Sequence, residues 1–272
     1  MQISPVYDDV PVLTFEGLGS PAAAVRRQRE RLLALLGTLS APQWDTPSRC
    51  DKWSVKDVVA HLVGVDRFWE ISVAAAMRGE PTTFLANFDP AATPEQMVDG
   101  LRTLSPDEVL AQFEAKTSAF LATLDTVTDW SQLSEAPPGH IPLHATALHA
   151  LWDAWIHERD IMLPLALTPV VDDEEVRLAL RYAAALSPAI SVAARAGRRG
   201  TLAVQAKDPA CAFTVHVEDT VVVRDGLVGG PTLRGDAVEL VEGLSHRGPL
   251  PSPLAADDMW LLAGLADVFD VA

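Results

Sequence analysis

Residues 44–69 read WDTPSRCDKWSVKDVVAHLVGVDRFW, and the reading of this stretch decides the fold. Ser54 stands where a helix N-cap belongs, and Asp57 takes the third helical position, an aspartate variant of the capping box. Behind them Val58, Val59, Leu62, Val65, Phe68, Trp69 and Val73 recur at helical spacing. The pattern predicts a helix with a broad buried stripe, stopped near Gly79-Glu80-Pro81. The stretch before it, 41–52, carries Trp44, Pro42, Pro47 and Cys50 and reads as a loop.

Working outward, a preceding helix is expected over about 21–39, with Ser20 as N-cap and Pro21 in its first turn. Leu32, Leu33, Leu35, Leu36 and Leu39 give it an apolar face. The first 20 residues read as an arm, because Pro5, Pro11, Gly17 and Gly19 interrupt any regular pattern. Downstream, 93–124 is helical with a break at Ser105-Pro106, where Ser105 caps the second part. Residues 128–142 read as loop, and 143–163 as a helix stopped by Pro164. Another helix runs from Asp172 towards Ala194. Then the texture changes: 200–206, 213–217 and 221–224 alternate or are β-branched and predict short strands, with a further edge strand at 231–234. Residues 236–245 and 253–269 return to helix. The expected organisation is an arm (1–20), a helical unit (21–168) and an α+β unit (169–272).

Composition bounds the function. The chain has 272 residues, 49% of them hydrophobic, and a formal net charge of −16. That apolar fraction excludes a largely disordered chain. The acidic balance argues against phosphate-tracking nucleic-acid binding, which needs Lys and Arg, and against docking to an anionic membrane. Cys50 and Cys211 are too few for a disulfide framework. Residues 1–18 lack a basic n-region, and no apolar run approaches the roughly 18 residues of a span. A soluble, cytoplasmic protein, monomeric or homodimeric, is the expectation.

Spacing also singles out candidate chemistry. Asp153 and His157 lie four residues apart on the 143–163 helix, with His149 four residues earlier, and i, i+4 residues share a helix face. A carboxylate and an imidazole so placed can grip one metal ion, and a third ligand from a neighbouring helix leaves coordination positions open. Spacing alone does not reach that conclusion. A single Asp-x-x-x-His pair is more often an ion pair, and His61 among Val59, Leu62 and Val63 is more often a hydrogen-bonded core histidine.

The stretch 44–69 closely resembles the mycothiol-dependent maleylpyruvate isomerase family, in which a Trp, a Cys, a Trp-[ST]-Val and a Val-Val-Ala-His-Leu follow one another. Residues 148–164, LHALWDAWIHERDIMLP, resemble that family's second motif, normally Glu-x-x-x-His followed by Asp-[IV]. The stretches 200–208, 213–226 and 233–250 resemble its small C-terminal domain, so the likeness runs from about Val25 to near the end. It implies a fold of class α plus α+β: an N-terminal DinB-like four-helix bundle, then a small sterol-carrier-protein-like domain. It further implies one divalent metal, usually zinc, held at His61, Asp153 and His157. Asp153 departs from the pattern, since the family usually has Glu there; Asp remains an ordinary ligand for zinc.

The resemblance also implies mycothiol as thiol cosubstrate, with S-transfer or thiol-assisted isomerisation of a small electrophile. Two other classes stay open: an inactive ligand-binding module, and a zinc hydrolase using metal-bound water. Arg247 is a candidate for binding an acidic substrate or the thiol's carboxylate, or else stabilises its own helix end; Arg67 is a weaker one. Asp160 either supports a ligand imidazole or pairs with Arg159 or Arg67. His149 is a fourth ligand or pocket base, or simply lines its helix, whereas His144 lies too far around the helix to share the ion. His140, His216 and His246 read as loop or surface, Trp53 as a packing anchor, and Cys50 as a small buried hydrophobe without an activating neighbour.

Overall fold

In the computed structural model, which describes residues 4–90 and 92–266, the helical start at Ser54 is built as its sequence predicts. Ser54 Oγ accepts the Asp57 N–H, and Asp57 returns the bond to the Ser54 N–H at 2.9 Å. In chain order the first elements are β1 (Leu13–Phe15), α1 (Ala22–Leu36), α2 (Ala41–Trp44), α3 (Val55–Ala76), α4 (Ala92–Asp99) and α5 (Pro106–Leu124). A hairpin, β2 (Leu133–Ala136) and β3 (Gly139–Pro142), then leads into α6 (Leu143–Met162). The helices α1, α3, α5 and α6 pack into a bundle, with α3 against both α5 and α6. One core cluster fills the end of the bundle beneath Trp44, through Leu32, Val55, Val59, Phe113 and Ile161.

The bundle interior also holds a charge pair that spacing did not single out. Arg29 and Asp66 are fully buried and 2.7 Å apart. Thr117 donates to Asp66 at 2.7 Å, and Arg29 donates to the Ala150 carbonyl at 3.2 Å, so one network ties all four helices. A buried pair of this kind holds only because its remaining hydrogen-bonding capacity is met by neighbours.

Beyond the bundle come α7 (Asp173–Ala193), β4 (Gly200–Lys207), β5 (Cys211–Val217), β6 (Val221–Asp225), β7 (Thr232–Asp236), α8 (Ala237–Leu244) and α9 (Trp260–Ala266). The sheet order is β1-β6-β5-β4-β7. Leu202 and Val204 on β4, Phe213 and Val215 on β5, and Val221 and Val223 on β6 turn inward, as period-two strands require. Helix α7 packs on β5 and β6 on one side and on α6 on the other, so the main apolar core runs from the bundle into the sheet. By length and hydropathy α7 alone among the described helices would pass for a membrane span, but 78% of that window is buried in this core.

Several expectations are corrected. Residues 41–44 form a helical turn capped by Ser40 and Gln43 rather than loop. The 128–142 stretch contains the β2–β3 hairpin, whose register pairs Ser134 with Ile141. The arm is not irregular throughout: β1 joins the sheet edge in parallel with β6, Leu13 opposite Val221 and Phe15 opposite Val223. Its preceding residues are pinned as well, because Val6 lies over Gly139 (φ 127°) and accepts the His140 N–H at 2.8 Å. A Cβ at Gly139 would sit 2.0 Å from the Val6 carbonyl oxygen, so only glycine fits there. The helix expected over 253–269 is a short 3-10 turn (Ala256–Asp258) followed by α9; positions 267–269 lie outside the described residues.

Candidate metal centre

Three side chains from two helices converge on one point. His61 projects from the middle of α3, and Asp153 and His157 from adjacent turns of α6. The Nε2 atoms of His61 and His157 lie 3.9 and 3.6 Å from Asp153 Oδ1, and the two imidazole rings meet edge-on with centroids 4.9 Å apart. Donor atoms bound to one ion at about 2.1 Å in tetrahedral geometry sit roughly 3.4 Å apart, so little contraction is needed to hold a cation. Asp153 Oδ2, on the carboxylate at the centre of the cluster, is buried and without a hydrogen-bond partner, a costly condition for a polar atom unless a ligand satisfies it. Two imidazoles and a carboxylate are the ligand types that zinc and similar divalent ions take, so the residues fit such an ion.

Electrostatics agree with that geometry. Asp153 is held well below the usual carboxylate range: burial works against its charge, but His157 and His61 outweigh it. Burial pushes His61 down. Burial also opposes charge on His157, yet Asp153, Cys50 and Asp160 together push it up to about 10.

A second set of contacts supports His157 from behind. Its Nδ1 is 3.1 Å from Asp160 Oδ2. An ionised carboxylate only accepts, so Nδ1 carries a proton whatever the ring's charge, and Nε2 is the nitrogen turned towards Asp153 and His61. Asp160 is fully buried and is clamped by Arg247, whose Nε donates at 3.0 Å, and by Arg49, whose Nε donates at 3.0 Å. Arg49 continues to Glu242 at 2.7 Å, and Arg159 meets the same carboxylate at 2.8 Å. Of the partners weighed for Asp160, the imidazole is found; Arg159 turns instead to Glu242, and Arg67 is exposed. The arginine expected at 247 faces the bundle and pairs with Asp160 rather than with its own helix end.

Cys50 is the clearest departure. Buried beside the cavity, its thiol donates to Asp160 Oδ2 at 3.2 Å, lies 3.7 Å from His157 Nδ1 and receives the Arg247 Nη2 at 3.5 Å. It has polar neighbours that lie 107 or more positions away in the chain, so nothing local announced them. Cys50, His157 and Asp160 also bring donor atoms within 4.8 Å of one another, but the two arginines on Asp160 already supply the positive charge there.

The other histidines separate. His149 is buried, with Nδ1 2.5 Å from the Tyr182 hydroxyl, and burial pushes its pKa down to about 4; it lines the cavity as a neutral ring. His144 stays apart from the cluster, against Phe15. His140 is no surface residue: it is buried and its Nε2 bonds the Thr82 carbonyl at 2.9 Å. His246 is half-buried on the cavity wall, whereas His216 sits on β5. Trp53 stacks beside His61, centroids 5.2 Å apart, and donates to Glu95 at 2.8 Å.

These groups open onto a cavity of about 510 Å³ formed by α3, α4, α6, the 84–90 segment and residues 245–247. Its floor is polar, with Cys50, His61, Asp153, His157 and Arg247; its upper wall is apolar and aromatic. Glu135, buried on β2, holds the 84–90 segment in place by accepting the N–H groups of Phe84 and Leu85 at 2.8 and 2.7 Å.

Comparison with known proteins completes the description. The family model for the mycothiol maleylpyruvate isomerase N-terminal domain matches residues 25–162. Two solved structures share the fold. A crystal structure of the mycothiol-dependent maleylpyruvate isomerase is 17% identical over 84% of this chain and 88% of that one, with a TM-score of 0.59. A histidine-to-alanine mutant of the mycothiol-dependent maleylpyruvate isomerase is 16% identical, with the same coverage and TM-score. Among curated proteins none matches.

Proposed function

The chain belongs to the mycothiol maleylpyruvate isomerase family, and from that premise we propose that it is a metal-dependent enzyme using mycothiol as thiol cosubstrate. His61, Asp153 and His157 would hold a divalent ion, zinc being the expectation. Such an ion, when bound, lowers the pKa of a coordinated thiol so that sulfur is available as thiolate at neutral pH. The reaction is S-transfer to a small electrophile or its thiol-assisted isomerisation. The single observation that carries this reading is the convergence of His61 Nε2, His157 Nε2 and Asp153 Oδ1 beside one cavity, with Asp153 Oδ2 buried and unsatisfied.

The chain's own residues divide the remaining work. Asp160 holds the His157 proton at Nδ1 and thereby orients the ring. Arg247 lies on the cavity wall with Nε and Nη2 engaged by Asp160, which fixes the guanidinium plane where a carboxylate or a developing oxyanion can meet it. Neutral His149 and the surrounding aromatic rings keep water from the reacting atoms. The division into an arm (1–20), a bundle (21–168) and a C-terminal α+β unit (169–272) is part of the same proposal: the bundle supplies the metal ligands and the C-terminal unit supplies Arg247.

The test is His61→Ala, with zinc content and mycothiol-dependent turnover measured together on the folded variant. Loss of both is expected. Full turnover in a zinc-free variant would overturn the metal reading, and turnover that ignores added mycothiol would point to hydrolysis instead.

A further inference from the structure

The cavity wall above the three candidate ligands has a chemical character that bears on the electrophile. Phe68, Trp69, Leu85, Phe88, Met97 and Trp152 make most of it. The aromatic part is continuous: Phe68 and Trp69 have centroids 4.8 Å apart, Trp69 and His149 4.9 Å, His149 and Trp152 5.4 Å. His149 adds no charge, because its Nδ1 is spent on Tyr182 and burial keeps the ring neutral.

Apart from the three candidate ligands and the ion they would hold, few basic side chains line this space. Of the cavity's two basic side chains, Lys52 is exposed at the mouth beside Asp51. Arg247 is the other, and Asp160 matches its charge with three hydrogen bonds. Burial and the neighbouring Arg247 both push His246 away from its charged form. Two carboxylates, Asp153 and Glu95, face the same cavity; Glu95 takes bonds from Trp53 and Arg102. A substrate with two carboxylates entering here would meet a guanidinium already bound to Asp160 and an ion whose two charges Asp153 and the thiolate would offset, so it would lose hydration without full compensation. An apolar body is instead stabilised in proportion to the area it buries.

We propose that the electrophile is apolar and uncharged, an aryl- or branched-alkyl-substituted enone rather than a dicarboxylate. Its hydrocarbon part rests against the Phe68–Trp69–Trp152 wall and its reactive carbon faces the polar floor. The substrate class rests on the thiol-transfer reading above. In the reaction a thiolate lone pair forms the S–C bond at the β-carbon, and the C=C pair moves onto the carbonyl oxygen as an enolate. A proton from water then adds at the α-carbon, balancing the proton the thiol gave up.

The experiment has two arms on the full chain loaded with zinc. In the first, mycothiol-dependent kcat/KM is measured for 4-phenyl-3-buten-2-one and for maleylpyruvate; the enone is expected to be favoured by about 100-fold. Equal or better turnover of maleylpyruvate overturns the inference. In the second, binding of the unreactive 4-phenylbutan-2-one is followed by tryptophan fluorescence without thiol. Half-saturation below about 1 mM is expected, weakened about tenfold in Phe88→Arg and little changed in Phe88→Leu, with melting temperatures checked for both. Absence of ketone binding also overturns the inference. Ketone binding with neither thiol consumption nor mycothiol-dependent isomerisation on either substrate supports the apolar cavity and overturns the thiol reading instead, so the two failures are distinguishable.

Discussion

At the scale of the residue, Asp160 separates support from ligation. It touches His157, Cys50, Arg49 and Arg247 at once, yet lies behind His157 rather than among the three converging donors. Replacing it by Asn keeps the shape and removes the charge. Zinc affinity is expected to fall by about 10- to 100-fold, the usual effect of losing a carboxylate behind a ligand imidazole. Thermal unfolding should report a loss of about 3 kcal/mol as well, because the largely buried Arg247 guanidinium loses its carboxylate partner. Unchanged zinc affinity by competition with a chelator would mean that Asp160 serves the fold alone. Asp153 and His157 were legible because i, i+4 residues share a helix face. The neighbours of Cys50 were not, since all come from distant chain segments.

At the scale of the element, helix starts were the most legible features, because a cap is a contact between residues two or three apart. Asp172 caps α7, accepting the Glu174 and Glu175 N–H groups at 3.0 Å. Burial acts against its charge, but those bonds and Arg27 outweigh it and hold its pKa below the ordinary value. A carboxylate depressed in the folded state stabilises fully above its unfolded pKa, near 3.9, and loses that contribution as pH falls through the folded value. Asp172→Ala should therefore cost about 1 kcal/mol at pH 7, and the gap to wild type should narrow in denaturant titrations as the pH is taken progressively below the ordinary carboxylate value. A gap independent of pH would assign the loss to packing. The β2–β3 hairpin and β1 were missed for the opposite reason. They are three or four residues long, too short to display a period, and β1 in addition pairs with a strand some 200 positions away.

At the scale of the whole molecule, the apolar core crosses the proposed boundary at 168/169. Leu148, Leu151 and Trp155 on α6 belong to the same cluster as Val176, Leu180 and Tyr182 on α7 and Phe213 on β5. Residues 21–168 expressed alone should consequently expose that face of α6 and bind a hydrophobic dye, whereas the full chain should unfold in one cooperative transition. A soluble 21–168 fragment with sharp, independent unfolding would show the two units to be separable. The net charge of −16 describes the outer surface and says little about the site, where three arginines, 49, 159 and 247, gather around Asp160 and Glu242. By itself the sequence determined the long helices, the starts at Ser54, Ser105 and Asp172 though not the one at Ser20, where Pro21 takes the cap position, the later strands and the shared face of Asp153 and His157, because each rests on interactions within a turn or along one strand. Only the tertiary structure decided that His61 meets that pair, that Arg247 and Cys50 close on Asp160, and that the arm completes the sheet. Those contacts join residues up to about 200 positions apart, and their geometry follows from how the elements pack.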